Sequence, residues 1–225
     1  MENLIIDFNQ FDELTYTIEP GNYDRIYVKN ANGIDDMSCS IKLIGTVNTI
    51  RGMLIENCKS LNVFANWQPT KLIGGIHVSG DIENLRLSNL HILGAGHGLL
   101  MSQHNGVEEY GHVYIEYCIF SHHRKEGIYI GKSLSGNELE HEKPPIIERV
   151  TILQTVCCQN LWDGCQVGNT KTVEISDCEF TESGLAEYAW QDYDLTINPG
   201  CDIVKLGSVK YGSAQFLSNK VFIKP

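Results

Sequence analysis

Apolar positions recur along the chain in two short patterns, both stepping by two. The first is a glycine followed by apolar, any residue, apolar. It occurs as Gly52-Met53-Leu54-Ile55, Gly75-Ile76-His77-Val78, Gly98-Leu99-Leu100-Met101, Gly127-Ile128-Tyr129-Ile130 and Gly164-Cys165-Gln166-Val167. Asp194-Leu195-Thr196-Ile197 is a copy without the glycine, and successive copies start 23, 23, 29, 37 and 30 residues apart. The second pattern places apolar residues at relative positions 0, 2, 5 and 7, as in Leu85, Leu87, Leu90, Ile92 and in Val113, Ile115, Cys118, Phe120. Val150, Ile152, Thr155, Cys157 and Val173, Ile175, Cys178, Phe180 follow, with Ala214, Phe216, Asn219, Val221 as a weak closing member. A step of two is strand periodicity, and the step of three marks a bend between two strands. Each repeat therefore predicts about three short strands and no helix.

Repeats of this length mean a solenoid. A leucine-rich repeat wants one strand per repeat, a nearly fixed period and leucine at most core positions. Here the core positions are Ile, Val, Cys and Phe, the period varies, and two strand patterns recur. The prediction is an all-β fold, a right-handed parallel β-helix of about six to seven coils, formed as one domain. Residues 1–46 provide an irregular N-terminal capping coil, 47–225 the repeated coils, and the polar run near 133–145 an inserted loop. Coil stacking predicts ladders of like side chains, Cys118 over Thr155 over Cys178 and beside it Ile92, Phe120, Cys157, Phe180. The strand near Pro225 has no capping pattern after it, which predicts a further C-terminal domain or a homo-oligomeric partner over that end.

The Pro20-Gly21-x-Tyr23 turn, the repeated Gly-Ile-x-Ile strands and above all Trp162-Asp163-Gly164-Cys165-Gln166-Val167-Gly168-Asn169 resemble the pectate-lyase-like superfamily of parallel β-helices. The resemblance covers roughly residues 14 to 223. It implies the fold, a polysaccharide or glycan as partner, an extracellular or cell-surface location and a substrate lying along an external groove. It is unspecific for activity, because lyases, hydrolases and non-catalytic modules share the architecture. Gly96-His97-Gly98 resembles an element of the polygalacturonase-like hydrolases, but here it precedes Asp163 instead of following the aspartates, and their double-aspartate and Arg-x-Lys elements are missing.

Charge narrows the partners. With 17 basic and 28 acidic residues the net charge is −11, which repels phosphate backbones and anionic lipid, so nucleic acid is excluded as partner. An anionic sugar then requires a local basic patch or a bound cation. No run approaches the ~18 apolar residues of a membrane span. Met1–Asp7 lacks the basic and apolar regions of an export signal, which keeps a cytoplasmic location open. The eight cysteines form no Cys-x-x-Cys pair. They read as a disulfide framework, a metal site or, favoured by their recurrence at one repeat position, as buried free thiols.

In the glycine strands, the second residue after each glycine points outward, giving the line Leu54, His77, Leu100, Tyr129, Gln166, Thr196. The residue before each glycine adds Arg51, His97, Glu126, Asp163 and, in the last copy, Tyr193. Glu126 and Asp163 share one register on successive coils, with Asp192 and Asp194 near it on the next, so these four are the candidate catalytic carboxylates for acid and base work on a glycosidic bond. The plainer reading of Asp163 is a turn residue bonding backbone N–H groups. His77, His97, Arg124, Lys125, Tyr129, Trp162, Gln166 and Trp190 are candidate substrate-binding groups, the aromatic ones as platforms for sugar faces or, equally, as corner fillers. No metal-ligand spacing occurs and no cofactor is implied, although a lyase mechanism would have a use for Ca²⁺. His122 and His123 face opposite ways and read as a solvated turn.

Overall fold

The computed structural model describes residues 1–33, 37–66, 70–102, 110–131, 147–185, 192–217 and 221–223. These residues form a parallel β-helix. A first face stacks nine parallel strands: Thr15–Ile18, Cys39–Leu43, Ser60–Ala65, Ile82–Ser88, Tyr110–Glu116, Ile147–Leu153, Thr170–Ser176, Ile203–Leu206 and Val221–Ile223. A second face stacks Thr46–Thr49, Lys71–Ile73, His91–Leu93, Ile119–Ser121, Val156–Cys158, Cys178–Thr181 and Val209–Tyr211. The third face carries the glycine strands: Met53–Glu56, Ile76–Ser79, Leu99–Ser102, Ile128–Gly131, Cys165–Val167, Leu195–Ile197 and Ala214–Phe216. One strand from each face makes a coil, and seven such coils follow one another. Before them, Gly21–Lys29 runs along both the second and third faces, pairing with Thr46–Thr49 and Met53–Glu56, while Glu2–Asp7 pairs with it from the other side.

The expected ladders are present. Phe120 pairs with Ile92 on one side and Cys157 on the other, and Cys157 with Phe180, all four fully enclosed. The closing member of the second pattern is corrected. Ala214 and Phe216 continue the third face opposite Leu195 and Ile197. The true continuation is Val204, Leu206, Val209, Tyr211, which pair with Val173, Ile175, Cys178 and Phe180. All eight cysteines are free thiols, seven of them buried. Three of these, Cys58, Cys118 and Cys178, donate to the carbonyl two residues earlier, at 3.3, 3.2 and 3.1 Å, and Thr155 does the same with its hydroxyl at 2.9 Å. A thiol is thus a small hydrophobe that also satisfies a corner carbonyl.

Most corners among the described residues turn through a residue with positive φ. Asn89, Tyr117, Gln154 and Asp177 do so between the first and second faces, and Gly94, His122, Gln159 and Glu182 between the second and third. Asn30, Asn57, Gly80, Gly131 and Asn169 do so on the way back to the first. Such a residue reverses the chain sharply enough to keep the strands short. Outside, opposite charges sit on paired positions of neighbouring coils: Lys29 with Glu56 at 3.3 Å, Glu174 with Lys205 at 2.9 Å and Glu179 with Lys210 at 2.6 Å. Each contributes little at an exposed site, but a slip in register would separate every pair. No helix among the described residues is long and apolar enough to cross a membrane.

Candidate functional site

The outward line of the third face holds its predicted register. Leu54 pairs with His77, His77 with Leu100, Leu100 with Tyr129, Tyr129 with Gln166 and Gln166 with Thr196. The line is not uniformly open. His77 is exposed and Tyr129 half-buried, whereas Gln166 and Thr196 are each only 2% exposed. Beside it, at the corner with the second face, lies a groove of about 260 Å³. Arg51, His77, His97, Leu100 and Arg124 reach its wall. Four of these five side chains are basic or imidazole, in a chain whose net charge is −11. Two of the four are arginines, and Arg51 also pairs with Asp24 at 3.6 Å.

Behind the groove stand the carboxylates. Gly98 N–H donates to the Glu126 carbonyl and Gly127 N–H to the Asp163 carbonyl, both at 3.1 Å, so the two acids occupy one column on adjacent coils. Both are enclosed, Glu126 at 1% and Asp163 at 0% exposure. His97 stands between Glu126 and the groove: its Nε2 lies 3.2 Å from Glu126 Oε2, and its ring stacks on Tyr129 with centroids 6.3 Å apart. Burial pushes the Asp163 carboxyl up to about 7. The Thr196 hydroxyl and the Tyr193 N–H, which donates to Oδ1 at 3.0 Å, pull it partly back, and Glu126 and Asp192 add like-charge repulsion.

The remaining candidates divide clearly. Asp194 is taken up by structure. Its Oδ1 accepts from Ser183 N–H at 2.8 Å, and its Oδ2 accepts from Gly212 N–H, Ser213 N–H and the Ser213 hydroxyl at 3.0, 2.8 and 3.2 Å. It ties three segments together. Asp192 is exposed beside Asp163. The Lys125 ammonium sits 4.8 Å above the half-buried Trp162 ring, next to Arg124 on the groove wall. Trp190 lies outside the described residues.

One residue of this region escaped the sequence reading. His123 is not in a solvated turn but 1% exposed inside the tube, while His122 is exposed, as their adjacency on a turn requires. His123 Nδ1 accepts from Ala95 N–H at 3.2 Å and its Nε2 lies 3.2 Å from the Ile92 carbonyl, which assigns the proton to Nε2. Burial holds its pKa down at about 4. The ladder continues from coil to coil. His123 N–H donates to Asn160 Oδ1 at 3.2 Å, Asn160 Nδ2 to the Ser183 hydroxyl at 3.3 Å, and Ser183 N–H to Asp194 at 2.8 Å. The glycine column makes room for it. A Cβ on Gly98 would meet the Gly127 carbonyl oxygen at 2.4 Å, His123 Nε2 at 2.7 Å and Phe120 at 2.8 Å.

Comparison with protein-family models, with curated proteins and with solved structures returns no match, so the functional reading rests on this geometry.

Proposed function

We propose that this chain is a glycan-directed β-helix protein that takes an anionic polysaccharide, such as a uronate polymer, into the groove at His77, His97 and Arg124. The observation that carries the reading is the groove itself, a basic and imidazole-lined wall backed by a buried carboxylate that holds His97. The resemblance to the pectate-lyase-like superfamily agrees with it, and a substrate of this kind belongs outside the cell or at its surface.

The same geometry favours elimination over hydrolysis. Two-carboxylate hydrolysis needs both acids against the glycosidic bond, and Glu126 and Asp163 are both enclosed. His97 is 19% exposed in its side chain and reaches the groove. With Nε2–H held by Glu126, Nδ1 is the nitrogen that takes the proton α to the uronate carboxylate. Arg124 and Arg51, the latter shared with Asp24 at 3.6 Å, neutralise that carboxylate as negative charge spreads onto it. The bond to the leaving glycosidic oxygen then breaks, solvent protonates that oxygen, and an unsaturated sugar end remains. Ca²⁺ is not needed where arginines supply the charge.

The test is incubation with a panel of uronate and neutral polysaccharides, following ultraviolet absorbance of unsaturated ends and, separately, new reducing ends. Elimination gives both signals on a uronate, and His97→Gln abolishes them. New reducing ends without absorbance refute elimination, and activity unchanged in His97→Gln removes His97 from the chemistry. The second reading, a non-catalytic glycan-binding module, is favoured by the enclosure of Glu126 and Asp163. It predicts uronate binding with neither signal.

A further inference from the structure

A second groove, of about 370 Å³, lies on the other side of the short second face, at its corner with the first. Its walls come from residues 70–71, 89–91, 117–119 and 154–156, which belong to four successive coils. At about 4.8 Å per coil it extends about 14 Å along the axis. Lys71, Asn89, His91, Tyr117, Ile119 and Gln154 are among its walls, and among the described residues no acidic side chain lines it. His91 is kept toward its neutral form by burial and by Lys71 and His122 nearby. Among the described residues the groove thus holds one fixed cation, two amides, an imidazole kept toward its neutral form and apolar surface. It contrasts with the basic groove across the face.

Tyr117 is the feature that needs explaining. It occupies the left-handed corner position with φ 52°, in a column whose other members are Asn89, Gln154 and Asp177. Left-handed backbone suits Asn, Asp and Gly and is disfavoured for a bulky aromatic residue. The ring gains little burial in exchange, being 48% exposed, and Ile119 beside it is 39% exposed. A strained, exposed aromatic residue where an asparagine would sit more comfortably is characteristic of a binding position.

We propose that this groove is a second carbohydrate site that holds an uncharged stretch of polysaccharide. A sugar ring stacks on Tyr117, and its hydroxyls bond to the amides of Asn89 and Gln154 and to Lys71. An aromatic face offers the apolar area that the C–H face of a sugar needs, and amides on alternate coils match hydroxyls repeating along a chain. The choice of carbohydrate as ligand class rests on the glycan-directed reading above, but the site shares no residue with the His97 groove.

Affinity electrophoresis through gels containing a soluble neutral glucan, mannan or xylan, or a uronate polymer, separates the two sites. The wild-type chain is expected to be retarded by at least one neutral polysaccharide. Tyr117→Asn, which keeps the left-handed corner and removes the ring, should lose about tenfold in affinity with an unchanged or higher melting temperature. Gln154→Ala, on an exposed side chain, should weaken the same binding, and Arg124→Ala should leave it intact. Retardation by no neutral polysaccharide, or by Tyr117→Asn as by wild type, overturns the proposal. Retardation by the uronate polymer alone, lost in Arg124→Ala, overturns it too while leaving the first groove's assignment standing.

Discussion

Replacing Asp163 by asparagine removes one of two buried groups whose titrations oppose each other. His123 is enclosed and has its pKa lowered from 6.5 to about 4. As pH falls between those values the unfolded chain takes up a proton that the folded chain refuses, so stability drops on acidification, by about 3 kcal/mol across the window. Asp163 has its pKa raised from 3.8 to about 7. As pH rises across that interval the unfolded chain gives up a proton that the folded chain keeps, so stability drops on alkalinisation, by about 4 kcal/mol. From about pH 4 to 6.5 the two slopes nearly cancel in the wild type. Asparagine keeps an oxygen for the Tyr193 N–H, carries no proton to lose, and ends the repulsion with Glu126. Asp163→Asn should therefore be more stable than wild type above pH 7, by up to about 4 kcal/mol, and should lose about 3 kcal/mol as pH falls from 6.5 to 4. Urea unfolding followed by tryptophan fluorescence between about pH 4 and 8 measures both curves. Parallel curves for the variant and the wild type would refute the reasoning.

Three further outcomes follow from the same structure. Gly98→Ala puts a Cβ 2.4 Å from the Gly127 carbonyl and against His123, so it should cost about 3 kcal/mol, read as a fall in melting temperature. Asp194→Ala strips the acceptor from three backbone N–H groups and one hydroxyl, and should lower the urea midpoint by an amount equivalent to about 3 kcal/mol, whereas Asp192→Ala, on an exposed side chain, should have little effect on it. A thiol reagent followed by mass spectrometry should modify Cys158 first in the native chain. The other seven thiols are buried, with burial pushing Cys58, Cys178 and Cys201 up to about 11 and Cys118 to about 12.

The ladders were legible because stacking puts the same kind of side chain at the same relative position in every coil. Phe120 and Phe180 announce a common interior column without any structure. The glycine column was equally plain, and it fixed the register that brings Glu126 and Asp163 onto adjacent coils. His123 was missed although a signal existed. Extending the 0, 2, 5, 7 pattern to position 10 reaches Ala95, His123, Asn160 and Ser183, the four members of the corner ladder. Polar residues at that offset look like turn surface until the structure shows that His123 and Asn160 each accept from a backbone N–H of the neighbouring coil, while Ser183 takes the Asn160 amide. The enclosure of Gln166, Thr196 and both acids was not legible, because period tells which way a side chain points and not what covers it. The slip at Ala214 has a similar cause: once the glycine is lost, a third-face strand and a first-face strand read alike.

The central claim is that an anionic glycan enters the groove beside His97. The most direct measurement follows the imidazole Cε1–H signals of the folded chain by NMR while an oligouronide is added, with each histidine assigned by substitution. Saturable shifts of the His77 and His97 signals, with His123 unmoved in its interior ladder, are the predicted result. Signals of His77 and His97 that stay fixed at every concentration, or shifts confined to His91 in the opposite groove, would contradict the account.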